Sequence, residues 1–169
     1  MQILEVLEAG HPVDIKGPFG EQFVYLPPGK YQRCGLDYIV SKINMVAGGT
    51  GITPMYQIIT SVLSDPADCT EIRLMYANNT EEDILLRKEL DVLAAVHPNR
   101  FKVSYVVGCP KDGWQGSVGF VRMELCEGFM FGVDMDTVTL LCGPRGMMHA
   151  CHACMGQMGF VKGLTCIEM

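Results

Sequence analysis

The sequence is poor in positive charge and contains no long apolar run. Its 13 Lys and Arg residues are outnumbered by 19 Asp and Glu residues, giving a net charge of −6. Nucleic-acid binding is therefore not expected, because it depends on basic side chains that neutralise phosphates. No run approaches the ~20 apolar residues of a membrane-spanning helix, and residues 1–5 lack the basic start of a signal peptide. We expect a cytoplasmic protein without a transmembrane segment.

A disulfide framework is also missing. The eight cysteines are scattered over 169 residues, and such a proportion is below that of disulfide-stabilised scaffolds. We interpret them as free thiols of a reducing compartment. The 49% of hydrophobic residues can fill a sizeable core, and the length suits one domain or a domain with a fragment.

Short apolar runs alternate with helical periods from residue 43 onward. Strands are predicted at residues 43–47, 71–77, 101–107, 137–142 and 164–167. Helices are predicted around residues 55–63, after a cap at Thr80, weakly over 121–130 and over 147–158. The alternation predicts an α/β fold with a five-stranded parallel sheet and helices on both faces. Ligands bind at the carboxyl ends of such strands.

The first 42 residues follow another pattern. Residues 13–16 and 23–25 alternate in polarity, and residues 17–20 read Gly-Pro-Phe-Gly, which is typical of a turn. A short antiparallel β segment is therefore predicted here. The expected domains are residues 1–42 and residues 43–169.

A glycine-rich segment follows the first strand of the predicted parallel sheet. It reads Gly48-Gly49-Thr50-Gly51, and Thr53-Pro54 comes directly after Ile52. It matches neither the Gly-x-Gly-x-x-Gly fingerprint nor the phosphate loop that ends in Gly-Lys-Ser/Thr. Thr53 is predicted as a helix N-cap and Pro54 as the first helical residue, which would leave a helix amino end suited to a pyrophosphate. A tight turn without a ligand is the competing interpretation.

Cys142 stands at a second strand-to-helix junction, in the string Cys142-Gly143-Pro144. A thiol near a helix amino end can have a lowered pKa and act as a nucleophile. No histidine obviously serves as its base, so covalent catalysis is not favoured.

A cysteine–histidine string in the last helix suggests a metal site at first sight. Cys151 and Cys154 fall on one helical stripe, whereas His149 and His152 point to the other side. Structural zinc needs four converging ligands, and no second Cys-x-x-Cys motif exists. No metal site is predicted.

Taken together, these motifs resemble the flavoprotein pyridine-nucleotide reductases of the ferredoxin–NADP reductase type, most closely the cytochrome b5 reductase and nitrate reductase branch. The matching segments are residues 48–55, 76–87, 119–121 and 142–144, with Met147 behind them. Their order and spacing agree over about residues 43–160, and residues 17–20 resemble the last turn of the flavin domain.

The resemblance implies an oxidoreductase that moves a hydride from NADH or NADPH to FAD. Electrons would then pass singly to a haem or other one-electron acceptor protein, such as cytochrome b5 or the haem of nitrate reductase. Cys142 and Thr50 are the implied catalytic residues, in the sense of positioning the nicotinamide near the flavin. The implied cofactor-binding residues are Gly48, Gly49, Thr50, Gly51, Thr53, Pro54, Asn78, Asp83, Gly108, Phe120, Cys142, Gly143, Pro144 and Met147.

Two departures from the family pattern affect these expectations. Gly108 stands where the cytochrome b5 reductases carry an aspartate that favours NADH, so the choice between NADH and NADPH is left open. The flavin motifs Arg-x-Tyr-Ser/Thr and Gly-x-x-Ser precede the stretch that residues 2–7 resemble, and they are absent. Residues 1–42 are therefore the expected remnant of a flavin-binding barrel. A separate flavin-domain chain could complete it, or the protein is a nucleotide-binding or partner-binding module without reductase turnover.

Overall fold

The computed structural model describes residue 10, residues 12–14 and residues 22–169. The first sheet within this part has three antiparallel strands, β1 (Val24–Leu26), β2 (Lys30–Arg33) and β3 (Leu36–Ile39). Cys34 and Gly35 both have positive φ, at 50° and 77°, which suits the two-residue turn of the β2–β3 hairpin. The predicted turn at 17–20 and the stretch 2–7 lie outside the described residues.

The second sheet is parallel throughout and has six strands. Its order is β7-β6-β5-β4-β8-β9. The strands are β4 (Lys42–Gly48), β5 (Glu71–Asn78), β6 (Phe101–Val107), β7 (Ser117–Val118), β8 (Thr137–Cys142) and β9 (Cys166–Glu168). The α/β architecture is confirmed, but the sheet has six strands and not the predicted five, because the prediction did not include β7. A strand of two residues is too short to show an alternating pattern in the sequence.

Four α-helices accompany this sheet: α1 (Ile52–Ser64), α2 (Arg87–Val96), α3 (Met123–Phe129) and α4 (Arg145–Gln157). The predicted cap at Thr80 is wrong. The backbone N–H and the hydroxyl of Thr80 both donate to Asp83 Oδ2, each at 2.9 Å, and so close a separate turn. The chain then passes through Leu86, whose φ is 56°, before α2 begins.

The core has two parts, one on each face of the parallel sheet. One contains the buried side chains of α1 and Leu90 of α2. The other is rich in sulfur and includes Cys126, Cys151, Met155 and Cys166. All eight cysteines are free thiols, and soft side chains of this kind fill irregular space well.

His152 differs from its predicted position on the far side of α4. Its side chain is only 13% exposed, and its Nε2 lies 2.5 Å from Glu168 Oε1. His149 is exposed, as expected. Within the described ranges, no three His, Cys, Asp or Glu side chains are grouped as a metal site would require.

The small sheet is joined to the larger one by packing and by a buried carboxylate. Phe23 and Tyr31 belong to the same core as α1. The Tyr25 hydroxyl donates to Asp68 Oδ2 at 2.5 Å, and the Thr70 N–H donates to Asp68 Oδ1 at 2.9 Å. The boundary at residue 42 remains a prediction, although β4 begins there.

Hydrogen bonds hold Asp68 in its ionised form. Burial acts to raise the pKa of Asp68, but hydrogen bonds from Thr70 and Tyr25 outweigh it and lower that pKa. Burial and the bond to Asp68 raise the pKa of Tyr25 to about 12. Tyr25 therefore stays a donor at neutral pH.

None of the described helices has the length and apolar character needed to span a membrane.

We predict that Asp68→Asn lowers the free energy of unfolding by about 2 kcal/mol at pH 7, because a buried charged acceptor is lost. A carboxylate with a lowered folded-state pKa stabilises the fold above its unfolded pKa. The difference from wild type should therefore shrink as the pH falls below about 4. Urea unfolding between pH 3 and pH 7 measures this, with the exposed Asp37→Asn as the control. A difference that is constant across this range would contradict the assignment.

Candidate functional site

The central strand β4 has β5 on one side and β8 on the other. After β4 the chain forms β5, β6 and β7 on one side of it, and then β8 and β9 on the other side. Open parallel sheets bind ligands in the crevice beyond the carboxyl ends of the strands at such a switch point. The loops that follow β4 and β8 begin at Gly49 and Gly143. This crevice is the candidate site.

Gly51 marks the closest approach of these two loops. A Cβ atom on Gly51 would lie 2.2 Å from the Cys142 carbonyl oxygen, 2.6 Å from the carbonyl carbon and 3.0 Å from the Gly143 nitrogen. These neighbours are backbone atoms, which cannot rotate away. Only glycine therefore allows the loops to cross at this distance.

The floor of the crevice is formed by Gly48, Gly143, Pro144 and Met147. A Cβ on Gly48 would lie 2.7 Å from Met147 Sδ and 2.9 Å from Pro144 Cδ. A Cβ on Gly143 would lie 2.4 Å from Met147 Cε and 3.1 Å from the Gly48 nitrogen. The structure therefore brings these four predicted residues together, although they come from two distant segments. The absence of side chains at Gly48 and Gly143 lets Met147 and Pro144 pack directly against the backbone of the two loops.

Two helices begin at the crevice without side-chain caps, although the first N–H of α1, that of Ile52, donates to the Gly49 and Thr50 carbonyls. The N-caps of α1 and α4 are Gly51 and Pro144, neither helix has a side-chain cap, and neither has an acidic residue in its first turn. Unpaired N–H groups and the helix dipole favour an anion at this position. A pyrophosphate would fit this arrangement.

Thr53 is not the N-cap that the sequence predicted. A 3-10 turn (Gly49–Gly51) precedes α1, which begins at Ile52. Thr53 is inside the first turn, where its hydroxyl donates to the Thr50 carbonyl at 3.0 Å. Pro54 is the third helical residue, where its missing N–H still costs nothing. Thr50 and Thr53 are exposed at the rim of the crevice.

Tyr76 is a structural element of the site that sequence reasoning missed. It is fully buried in β5, and its hydroxyl donates to the Gly49 carbonyl at 2.9 Å. This bond holds the loop at Gly49, whose φ is 53°. The signal in the sequence was a tyrosine within the apolar run 74–77 of this strand, since a buried hydroxyl requires a partner.

The remaining predicted residues follow the strands on the β5 side of the crevice. The Asn78 carbonyl accepts a bond from the Gly108 N–H at 3.0 Å, which ties the ends of β5 and β6. Both polar atoms of the Asn78 amide are buried and have no hydrogen-bond partner among the described residues. Phe120 is 83% exposed just after β7. Asp83 is exposed and held in the Thr80 turn.

Cys142 is half-buried at the end of β8. Burial raises the pKa of its thiol above the usual value. The thiol is therefore neutral at physiological pH, which disfavours attack on a substrate. The assignment of Cys142 and Thr50 as catalytic residues remains a prediction, and a positioning role suits Cys142 better.

Comparison with known proteins gives the same family as the motifs. Residues 45–153 match the family described as oxidoreductase NAD-binding domain. The NADH nitrate reductase of Ulva prolifera is 52% identical over 168 residues, which are 99% of this chain and 19% of that protein. The NADH-cytochrome b5 reductase 1 of Meyerozyma guilliermondii is 45% identical over 153 residues, which are 90% of this chain and 50% of that protein.

A solved structure supports the same relationship. The crystal structure of the cytochrome b5 reductase domain of Ulva prolifera nitrate reductase has a TM-score of 0.92 and 51% identity, over 99% of this chain and 64% of that one. The predicted resemblance is confirmed. The chain spans half of the length of the matched cytochrome b5 reductase and about a fifth of that of the nitrate reductase.

We predict that Gly51→Ala destabilises the protein by more than about 2 kcal/mol, because the new methyl group overlaps backbone atoms of the neighbouring loop. Gly146→Ala is the matched control, since nothing lies within 4 Å of a Cβ at this position in α4. Helix propensity should make that change neutral or slightly stabilising. Equal melting temperatures for the two variants would contradict the crossing described here.

Proposed function

Because the chain belongs to the family of oxidoreductase NAD-binding domains, we propose that it binds NADH or NADPH in the crevice between the loops after β4 and β8. It would serve as the nicotinamide-binding part of a flavin-dependent reductase. The observation that carries this proposal is that the Gly51–Cys142 crossing brings two helix amino ends without side-chain caps to one crevice, whose floor is covered by Met147. A pyrophosphate is favoured at such helix ends, and an apolar floor suits a flat ring.

The residues of the crevice bind and orient rather than react. When bound, a reduced nicotinamide supplies the hydride that a flavin accepts. Gly48 and Gly143 let Met147 pack against the backbone, and the apolar surface of Met147 excludes water from one side of the ring. The neutral Cys142 thiol limits how the ring turns. Holding the donor carbon in this way is the main contribution a protein makes to hydride transfer.

FAD and the electron acceptor belong to the same proposal. We place FAD in a flavin-binding barrel to which residues 1–42 contribute, or in a separate flavin-domain chain. Leu36 and Ile39 of the small sheet are 62% and 73% exposed, and a larger barrel would cover such side chains. The acceptor would be a haem protein, since the matched relatives are named for cytochrome b5 and for nitrate. A cytoplasmic location agrees with the free thiols.

We predict saturable quenching of Trp114, the only tryptophan, when NADH or NADPH is added to the purified protein. Gly143→Ala should weaken binding by about tenfold, because its methyl group overlaps Met147 Cε and displaces that side chain from the floor of the crevice. Gly156→Ala should leave the dissociation constant unchanged, because a Cβ there meets nothing within 4 Å and Gly156 lies near the carboxyl end of α4, away from the crevice. Flat titrations of the wild type with both nucleotides at millimolar concentration would reject the proposal, and so would equal binding by the two variants.

The alternative is a binding module without reductase turnover. The two functions are separated by adding FAD and ferricyanide to protein that binds NADH. Ferricyanide reduction that depends on the protein and on FAD supports the reductase, and binding without reduction supports the module.

A further inference from the structure

The adenosine half of the nucleotide must lie away from the central crevice. Neighbouring strands are ~4.8 Å apart, so a dinucleotide extends over several strand ends. On one side of the crevice only β9 follows β8, whereas β5, β6 and β7 lie on the other side. That second side offers the unpartnered Asn78 amide and the exposed ring of Phe120. The adenosine end therefore fits the loops 79–87 and 108–116.

No side chain at Gly108 can distinguish the 2′-hydroxyl of NADH from the 2′-phosphate of NADPH. The backbone there would accept a side chain, since the nearest atom to a Cβ is the Asn79 carbonyl oxygen at 3.5 Å. Discrimination at this end must then come from charged side chains nearby. The loops 79–87 and 108–116 hold the acidic residues Glu81, Glu82, Asp83 and Asp112, against the basic residues Arg87 and Lys111.

Both basic side chains are already engaged by glutamates. Lys111 pairs with Glu82 across the two loops, and the Lys111 N–H donates to Glu81 Oε1 at 3.3 Å. Arg87 Nη1 lies 3.6 Å from Glu81 Oε2, and its guanidinium carbon lies 5.3 Å from the centre of the Trp114 ring. A 2′-phosphate would have to displace a carboxylate to reach either cation.

The Glu82–Lys111 pair is ionised at neutral pH. The hydrogen bond from Lys111 lowers the pKa of Glu82, and the same bond raises the pKa of Lys111. The pair is exposed, with side-chain exposures of 57% for Glu82 and 72% for Lys111. Such a pair adds little stability, but it leaves no net positive charge at Lys111 for a ligand to meet.

We propose that Glu82 is a specificity-determining residue, which favours NADH over NADPH by neutralising Lys111 and leaving the adenosine end acidic. This rests on the proposed function, because it assumes that a nicotinamide nucleotide occupies the crevice. Glu81 contributes by engaging Arg87 in the same way. The carboxylates of the loop after β5 thus supply the selectivity that Gly108 cannot.

The test measures dissociation constants for NADH and NADPH through Trp114 fluorescence, in wild type, Glu82→Gln, Lys111→Met and the double variant. Glu82→Gln should bind NADPH about fivefold more tightly, with less than about twofold change for NADH, and the gain should shrink at high salt. In the double variant, NADPH affinity should return towards that of wild type. Glu71→Gln is the control. It makes the same charge change at the amino end of β5, whereas the crevice lies beyond the carboxyl ends of the strands.

Three results would overturn the inference while leaving the proposed function intact. The first is an equal change in the dissociation constants of both nucleotides in Glu82→Gln. The second is a change in the NADPH dissociation constant no larger than in Glu71→Gln. The third is a gain in NADPH affinity that persists when Lys111 is also replaced. If wild type binds neither nucleotide, the proposed function fails and this inference fails with it. Thermal unfolding of each variant confirms that the fold is retained.

Discussion

The crossing of Gly51 over the Cys142 carbonyl determines how the loops after β4 and β8 lie against each other. Because a Cβ at Gly51 would fall 2.2 Å from that oxygen, no other residue allows this approach. The crossing places the amino ends of α1 and α4 at one crevice and brings Gly48 next to Gly143. The electrostatic character of the site follows in part from this backbone arrangement, since both helix dipoles direct their positive ends to the crevice, where the exposed Arg145 is the first residue of α4.

Part of the fold and site was predictable from local patterns. Buried strands followed by helices give strong periodic signals, and the glycine-rich junctions at residues 48–51 and 142–144 stand out because few other residues allow such turns. The sequence therefore predicts that the loops at these junctions lie together at the carboxyl ends of the strands. That Met147 packs against both Gly48 and Gly143 could not be predicted, because it depends on how α4 is seated.

The errors had physical causes of the same kind. Thr80 and Asp83 have the spacing of a helix cap, but the carboxylate accepts both Thr80 donors and closes a turn instead. Thr53 was displaced from the cap position by a 3-10 turn that only the tertiary structure reveals. Tyr76 lies in the strand core, and its hydroxyl in addition supports Gly49, a contact that no local pattern reveals. In each case a side-chain hydrogen bond or a contact from another strand overrode a local preference.

Amide hydrogen exchange with and without NADH tests most directly the claim that the nucleotide lies across the Gly51–Cys142 crossing. The account predicts that exchange slows by about tenfold or more in residues 48–54 and 142–148, because the bound phosphates and ring engage or cover those N–H groups. Weaker protection should extend to the ends of β5 and β6. Protection confined to other parts of the chain, or saturating NADH without any change in these two loops, would contradict it.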